Sequence, residues 1–533
     1  MSLRIAVIAD RGSVQRFALD ALDAMTATDE IAVFSCSNTR IRKRWARHLL
    51  YYALNVVTVR NRLTRMVPIR SGRKRISKEV EFASDSDGAW QVLPADVIEE
   101  LRDYDVVLKF GMGLLRVPAE GALPTPILSY HHGDPGRFRG RPAGFWEIDE
   151  GASAVGQVVQ VIGNRLDAGR IVAFAETKVF PWSYRRTLIE AYRHSPLLID
   201  EAIRNAVSGT YAERASDGRN YRLPLNATVF GFVAGSALSG LRRIAYGALA
   251  EKAWRVSTSN LAAGGLKSLL SQGKLPPAQT WTSIAEAPQY AFYADPFFTS
   301  RPPAILVEGL RKSSGLGEIV RIDSSGHAPL IREPGHVSYP SVLAIDGREL
   351  LLPEVANWSE PRLYESGTSV RALRIAGGAR ITDPTLIEHE GWLYLFGNDR
   401  RLGSNVLQLW LARSLDDEFQ LHPASPIRIS PAGSRMGGNL IRHEGRMFRP
   451  GQDLSKDYGD GLILFEIDRL TPQDYLEHEI TRIGFTDRKG PHTLNVRGDE
   501  IVFDWYRDRI SPLAGLRRVK LVLQRRRKPQ ATQ

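Results

Sequence analysis

The sequence predicts two structural classes in one chain: a doubly wound, Rossmann-like α/β domain, then an all-β domain of five repeated units. Three observations lead there. At 533 residues the chain is too long for one core. Its first two hundred residues alternate short apolar runs with amphipathic stretches, the pattern of strands joined by helices. From about residue 293 a different pattern of short strands and turn glycines recurs. Apolar content of 43% and charged content of 24% fit a globular protein and exclude a disordered or fibrous one.

"RIAVIAD", "EIAVFSC", "DVVLKFG" and "PILSYH" read as four buried strands, with "ADVIEELRDY" as the helix before the third. Ser13 is placed to cap a helix whose Phe17, Ala18, Ala21, Leu22 and Met25 share one face. "SAVGQVVQVI" and "DAGRIVAFAE" follow as a strand and its return, then a helix over 184–206 interrupted at Pro196. This order predicts a parallel sheet within residues 1–207, with a ligand crevice at the carboxyl ends of its strands. The first loop, "ADRGSV", lacks G-x-G-x-x-G and so carries no dinucleotide fingerprint.

Residues 208–260 read as a linker with a helix near 231–254, 261–524 as a β-propeller, and 525–533 as a basic tail. Aligning "ADPFFTSRPPAILVEG", "SYPSVLAIDGRELLLPE", "TDPTLIEHEGWLYLFG", "GGNLIRHEGRMFRPG" and "PHTLNVRGDEIVFDW" on their turn glycines equates Asp295, Tyr339, Asp383, Gly437 and Pro491. Units of this length predict five blades. A β-sandwich is the competing architecture.

The net charge is +12, and part of it is concentrated: residues 40–78 hold thirteen Lys and Arg and no acid. This segment reads as a helical insertion packed by its apolar face, or as a surface for anionic lipid or a phosphate-rich ligand. "ATVFGFVAGSALSGLRRIAYGALA" is interrupted by Arg242 and Arg243, so it reads as interfacial rather than spanning. The lone cysteine, Cys36, excludes an internal disulfide and a cysteine-rich metal site. With no secretory pattern in "MSLRIAVIADRG", a cytoplasmic location is expected.

The stretch "SYHHGDPGRFRGRPAGFWE", residues 129–147, crowds chemistry into a loop at a strand end. A histidine there can donate to a developing oxyanion or take a proton. Gly133, Gly136 and Gly140 would let the backbone approach a ligand, and Arg137, Arg139 and Arg141 would hold a phosphate or carboxylate. Asp167, in the turn "NRLDAGRIV", would orient an imidazole or accept an amine proton. A structural histidine is the alternative.

These motifs, in this order, resemble the catalytic domain of folate-dependent formyltransferases, a family that includes methionyl-tRNA, amino-sugar and glycinamide-ribonucleotide enzymes. The resemblance covers roughly residues 1–207 and implies catalytic roles for His131 and Asp167. It implies N10-formyltetrahydrofolate as formyl donor, held at Phe110, Gly111, Met112, Gly113 and Leu166, and an amine acceptor near His132, Arg139, Gly140 and Arg141. The family's asparagine, which binds the formyl oxygen, is Ser129 here, and His132 or Asn164 is placed in sequence to compensate. The second half resembles five-bladed propellers of carbohydrate-active proteins, of the glycosidase family 43 type and of the N-terminal domain of plant inositol-phosphoceramide glucosaminyl transferases. That likeness implies a sugar site at Asp295, Asp383 and Glu354. It does not resemble the β-barrel tail that grips tRNA, so a nucleic-acid partner is not expected. The combined expectation is formylation of an amino sugar, on a nucleotide- or lipid-linked glycan, without a metal. A non-catalytic sugar-binding protein and a propeller glycosidase are the alternatives.

Overall fold

The computed structural model describes residues 3–38, 46–118, 121–261, 265–300, 303–345, 347–358 and 360–519, in two compact units, 1–241 and 242–533. The basic tail 525–533 and residues 40–45 of the basic segment lie outside the described residues.

The first unit is built on one sheet. β1 (Ile5–Asp10), β2 (Glu30–Cys36), β3 (Arg75–Phe82), β4 (Val106–Lys109) and β5 (Ile127–His131) run parallel, β6 (Ala154–Val161) returns antiparallel to β5, and β7 (Arg170–Lys178) is antiparallel to β6. The order is β7–β6–β5–β4–β1–β2–β3, with two short strands, Ser13–Gln15 and Met66–Pro68, beside β1. The chain moves outward from β1 on one side and then resumes on the other. Strand order therefore reverses between β1 and β4, where the carboxyl ends leave a crevice.

The longer helices up to residue 249 are α1 (Arg16–Ala24), α2 (Leu49–Val57), α3 (Ala95–Leu101), α4 (Tyr184–His194), α5 (Ile199–Ser208) and α6 (Asn226–Leu249), and a short one spans Phe145–Asp149. Ile8, Phe34, Val107 and Ile127 of one sheet face bury Val97 and Leu101 of α3. α4 and α5 pack on β7. The Pro196 break is present as a short 3-10 turn, Ser195–Leu198, between α4 and α5.

Three readings are corrected. Ser13 does not cap α1: it sits in a short strand, and Gln15 precedes the helix without a side-chain cap. The basic segment is only partly helical, because its end is β3, an edge strand paired with β2. Its cations meet acids from outside the segment, as in Arg75–Glu30 and Lys78–Glu100, at 2.9 Å for the latter. The helix expected near 231–254 starts and ends five residues earlier, because residues 250–260 are claimed by a strand.

The second unit holds, among the described residues, five antiparallel sheets taken in chain order, with a short helix at Gly265–Gln272. The first four begin with Tyr290–Ser300, Val337–Ile345, Ile381–His389 and Ala432–Met436. The fifth combines Leu494–Arg497 and Glu500–Ile510 with Ala250–Asn260 and Thr282–Ile284, so both ends of the unit share one sheet. Residues 250–260, read from sequence as linker, thus form the long partner of 500–510. The opening strands of the first four sheets touch in series, and the first also touches Glu500–Ile510. Leu494 N–H donates to Gly437 O at 2.9 Å, joining fourth to fifth. Asp295, Tyr339 and Asp383, equated by their turn glycines, share one backbone bend, with φ of 47°, 48° and 48° and a slip of register.

The fourth sheet buries an ion pair. Arg449 is fully buried and meets both carboxylate oxygens of Glu477 at 2.7 Å, while Tyr475 donates to the same carboxylate at 2.6 Å. Arg449→Met leaves that buried carboxylate with only Tyr475 and the more distant Arg428, at 3.6 Å, and is expected to cost the second unit about 3 kcal/mol in urea unfolding. Adding Glu477→Gln should recover much of the loss. A single-variant effect below about 1 kcal/mol would contradict a buried, paired charge.

Candidate functional site

Side chains alternate along a strand, so Ser129 and His131 on β5 share one face and Tyr130 the other. Register sets Ser129 beside Lys109 of β4 and Gln160 of β6, and Lys109 beside Ile8 of β1. Lys109 therefore lies on the Ser129 face, as does Asp10 at the end of β1. The β6–β7 turn brings Asp167 to the same edge. Its Oδ1 lies 3.5 Å from His131 Nδ1, and its Oδ2 accepts the Gly140 N–H at 2.9 Å. Gln160 Oε1 accepts the Gly169 N–H at 3.0 Å and so holds that turn from the strand beneath. The other ring nitrogen, His131 Nε2, lies 3.1 Å from Phe138 O.

Lys109 closes the adjoining loop by donating from Nζ to Gly113 O at 2.8 Å. Burial pushes its ammonium down to about 8, with Asp10 and Asp167 pulling the other way. Asp10 Oδ1 accepts the Met112 N–H at 2.8 Å, which holds Met112 at φ 60°. A Cβ on Gly111 would stand 2.7 Å from Asp10 N, so the loop touches β1 directly. Phe110 turns its ring onto Tyr130, at 6.0 Å between centroids, and Leu166 is half-buried beside Asp167.

Several expected roles change. His132 faces the opposite side of the sheet, packed among Phe17, Tyr130 and Tyr192, with Nε2 2.8 Å from Ser195 Oγ. Burial there drops its pKa to about 3, so it is a neutral packing residue rather than a substrate contact. Asn164 is tied to both backbone groups of Val117, at 2.8 and 3.2 Å. Neither side chain replaces the carboxamide missing at Ser129. Gly133 and Gly140 serve close approach of the chain to itself: an added Cβ would stand 2.7 Å from His131 Nε2 and 2.1 Å from Tyr221 O respectively. Arg139 Nε donates to Gly218 O at 2.6 Å, and Arg141 is exposed.

A second cluster lies inside the second unit. Asp383 is gripped by the Arg435 guanidinium at 2.5 and 3.2 Å and by Gln452 Nε2 at 3.0 Å. Burial pushes Asp383 upward against the pull of that guanidinium. Glu354 binds Arg400 at 2.7 Å and accepts the Asp383 N–H at 3.2 Å. Asp295 meets His492 Nδ1 at 3.1 Å and Thr493 Oγ1 at 2.7 Å. Asp504 accepts three backbone N–H groups, from Asp295, His492 and Thr493, at 2.8–3.0 Å. Burial alone would lower the His492 pKa, but Asp295 and Asp504 raise it to about 10. Asp295, His492 and Asp504 place ligand atoms within 4.8 Å of one another. The imidazolium supplies the positive charge between the two acids.

Sequence reading missed Lys109, Asp10 and Gln160 in the first site and Arg435, His492 and Asp504 in the second. The available signal was an ionisable residue breaking an apolar strand, as in "VVLKFG" and "IVFDWY".

Comparison with known proteins adds the following. Residues 327–500 match the family described as glucosamine inositolphosphorylceramide transferase 1, N-terminal. The protein of that name from rice (Oryza sativa subsp. japonica) is 30% identical over 173 residues, which is 31% of this chain and 23% of the rice protein. The chain thus spans about a quarter of the curated relatives' length. Among solved structures, an N-formyltransferase from Helicobacter canadensis, in complex with folinic acid and dTDP-3-aminofucose, is 13% identical, covering 60% of this chain and 98% of that one with a TM-score of 0.28. A family 117 glycoside hydrolase from Zobellia galactanivorans is 12% identical, covering 40% of this chain and 83% of that one, also at 0.28.

The His492 contacts set a pH dependence. Its folded pKa lies above the unfolded value of about 6.5, so the stabilisation is fully present below that value and is lost as pH rises through about 10. The second unit's melting temperature should fall over that window more steeply in the parent protein than in His492→Gln. Parallel profiles would remove the imidazolium from the assignment.

Proposed function

We propose that the first unit moves a formyl group from N10-formyltetrahydrofolate to the amine of an amino sugar. In the same reading, the five sheets of the second unit form a five-bladed propeller that recognises the sugar or its glycan carrier. The chemistry rests on one observation: Asp167 bridges the His131 ring and the Gly140 N–H at the end of β5. The propeller reading is supported by the series of touching opening strands and by the fifth sheet, built from both ends of the unit. The sugar reading draws on the names of the relatives, which carry glucosamine and an inositolphosphorylceramide. Reduced folate implies a cytoplasmic site of action.

In this reading the acceptor nitrogen bonds to the formyl carbon, whose carbonyl oxygen gains the negative charge. Asp167 takes the amine proton. Collapse of the tetrahedral centre breaks the bond from carbon to N10 of the donor, and N10 is protonated by way of His131. The products are the sugar formamide and tetrahydrofolate. His131 Nε2, held by Phe138 O at rest, exchanges that acceptor for the formyl oxygen, and Gly133 leaves its ring edge uncovered. Lys109, the register neighbour of Ser129, supplies as a charged donor the oxyanion stabilisation that the absent asparagine carboxamide would give. A non-catalytic sugar-binding protein is the second reading, favoured by the serine at 129.

Incubation with amino-sugar nucleotides and formyl-folate, read by mass, tests the proposal. Asp167→Asn and His131→Gln should each lower kcat/KM about 10²–10³-fold, and Ser129→Asn should raise it. Lys109→Met should lower the rate and abolish a decline at pH above about 8, because only the ammonium form acts. Saturation with a folate analogue at ~100 Kd should stabilise the protein by about 2.7 kcal/mol. Formylation with no folate stabilisation, or neither effect, defeats the folate reading.

A further inference from the structure

We propose that α6, together with α2, is a docking surface for an anionic lipid bilayer, on which the helix lies in the interfacial plane. Amphipathic helices of a globular protein turn their apolar stripe inward. α6 also turns one outward. Val229 and Phe232 are buried, yet Phe230, Val233, Leu241 and Ile244, with Ala237 between, form a second stripe in water. Phe230 is 73% exposed and Ile244 69%. Large apolar side chains left in water at helical spacing cost free energy unless something covers them.

The start of α6 is fastened to the start of α2. Leu50 N–H donates to Asn226 Oδ1 at 3.0 Å, Asn226 Nδ2 donates to Ala46 O at 3.1 Å, and His48 Nδ1 lies 2.9 Å from Pro224 O. α2 exposes Leu50 and Val57 in its turn. The join lies between two stretches of sequence without an acid: residues 46–65 and residues 218–250 hold four arginines each and no Asp or Glu.

Exposed apolar side chains on arginine-bearing, acid-free stretches of sequence match the two properties of an anionic bilayer, an apolar interior beneath a negative surface. A protein groove accounts for the apolar stripe but does not require arginines on both stretches. Among the described residues no helix is long and apolar enough to cross a membrane, and Arg242 and Arg243 sit within α6, so the helix lies on the bilayer. This surface is independent of the formyl-transfer reading.

The test uses the whole protein, sedimented with phosphatidylcholine vesicles with or without phosphatidylserine. The phosphatidylserine vesicles should carry it down, and added salt should release it, because screening weakens the charge term. Phe230→Ser with Ile244→Ser should weaken partitioning about tenfold or more. Leu50→Ser with Val57→Ser should act in the same direction, which guards against a fold defect confined to α6. Arg242→Gln should reduce the preference for phosphatidylserine while leaving formyl transfer in solution unchanged. Equal binding to both vesicle types, or no binding, overturns the proposal. So does a dimer, seen by sedimentation velocity, that the same substitutions dissolve without any effect on vesicles.

Discussion

A backbone N–H turned out of its ladder at a bend must find an acceptor, and in both units buried or half-buried carboxylates meet that demand. Asp10 accepts from Met112, Asp167 from Gly140, Glu354 from Asp383 and Asp504 from Asp295. In three of these the donor residue itself holds a positive φ unusual for a side chain other than glycine. The carboxylate and the bend thus stabilise each other. Asp10 and Asp167 are thereby fixed where strands end, whereas Asp504 is fixed within a strand and fully buried. A fold with these acids replaced by apolar groups would have to give up the bends, and with them the positions of Asp167, Asp295 and Asp383.

The same constraint governs the cations. An acid held away from water needs positive charge nearby, and each cluster supplies it from another part of the chain: Lys109 near Asp10 and Asp167, Arg435 on Asp383, His492 between Asp295 and Asp504. Those partners come from strands far apart in sequence, which explains what a linear reading could and could not find. The apolar runs of β1, β2, β4 and β5 were legible because burial on both faces writes itself into composition. The histidine and aspartate motifs were legible because their spacing is local. β3 was not, because an edge strand with the sequence "RISKEVEF" exposes most of its side chains and looks like charged loop. The fifth unit was legible in "PHTLNVRGDEIVFDW", but its partner strand was hidden because residues 250–260 pair with 500–510 across the length of the unit. His132 was misplaced for a simpler reason: on a strand adjacent side chains part company, so it cannot share the face of His131.

Ser129 is where local sequence and surrounding structure pull in different directions. A hydroxyl offers one donor where a carboxamide offers two, and it ends closer to the backbone. The neighbouring strand carries a lysine at the matching register, and a charged donor in a poorly hydrated site exerts a stronger field than a neutral amide. Such an exchange would keep oxyanion stabilisation while tying it to the ionisation of an amine. Gly133 and Gln160 belong to the same argument, since one leaves the ring edge of His131 uncovered and the other fixes the turn that carries Asp167.

The second unit can be weighed by what its carboxylates are free to do. Hydrolysis of a glycosidic bond asks for one carboxyl that gives a proton and another that attacks or activates water. Asp383 is committed to Arg435 and Gln452, and Asp295 to His492 and Thr493, while Asp504 spends its oxygens on three backbone N–H groups. Groups so paired are poor nucleophiles, because attack must first break contacts made in a site that water does not easily reach. The geometry of these pairs therefore counts against the glycosidase reading of the second unit.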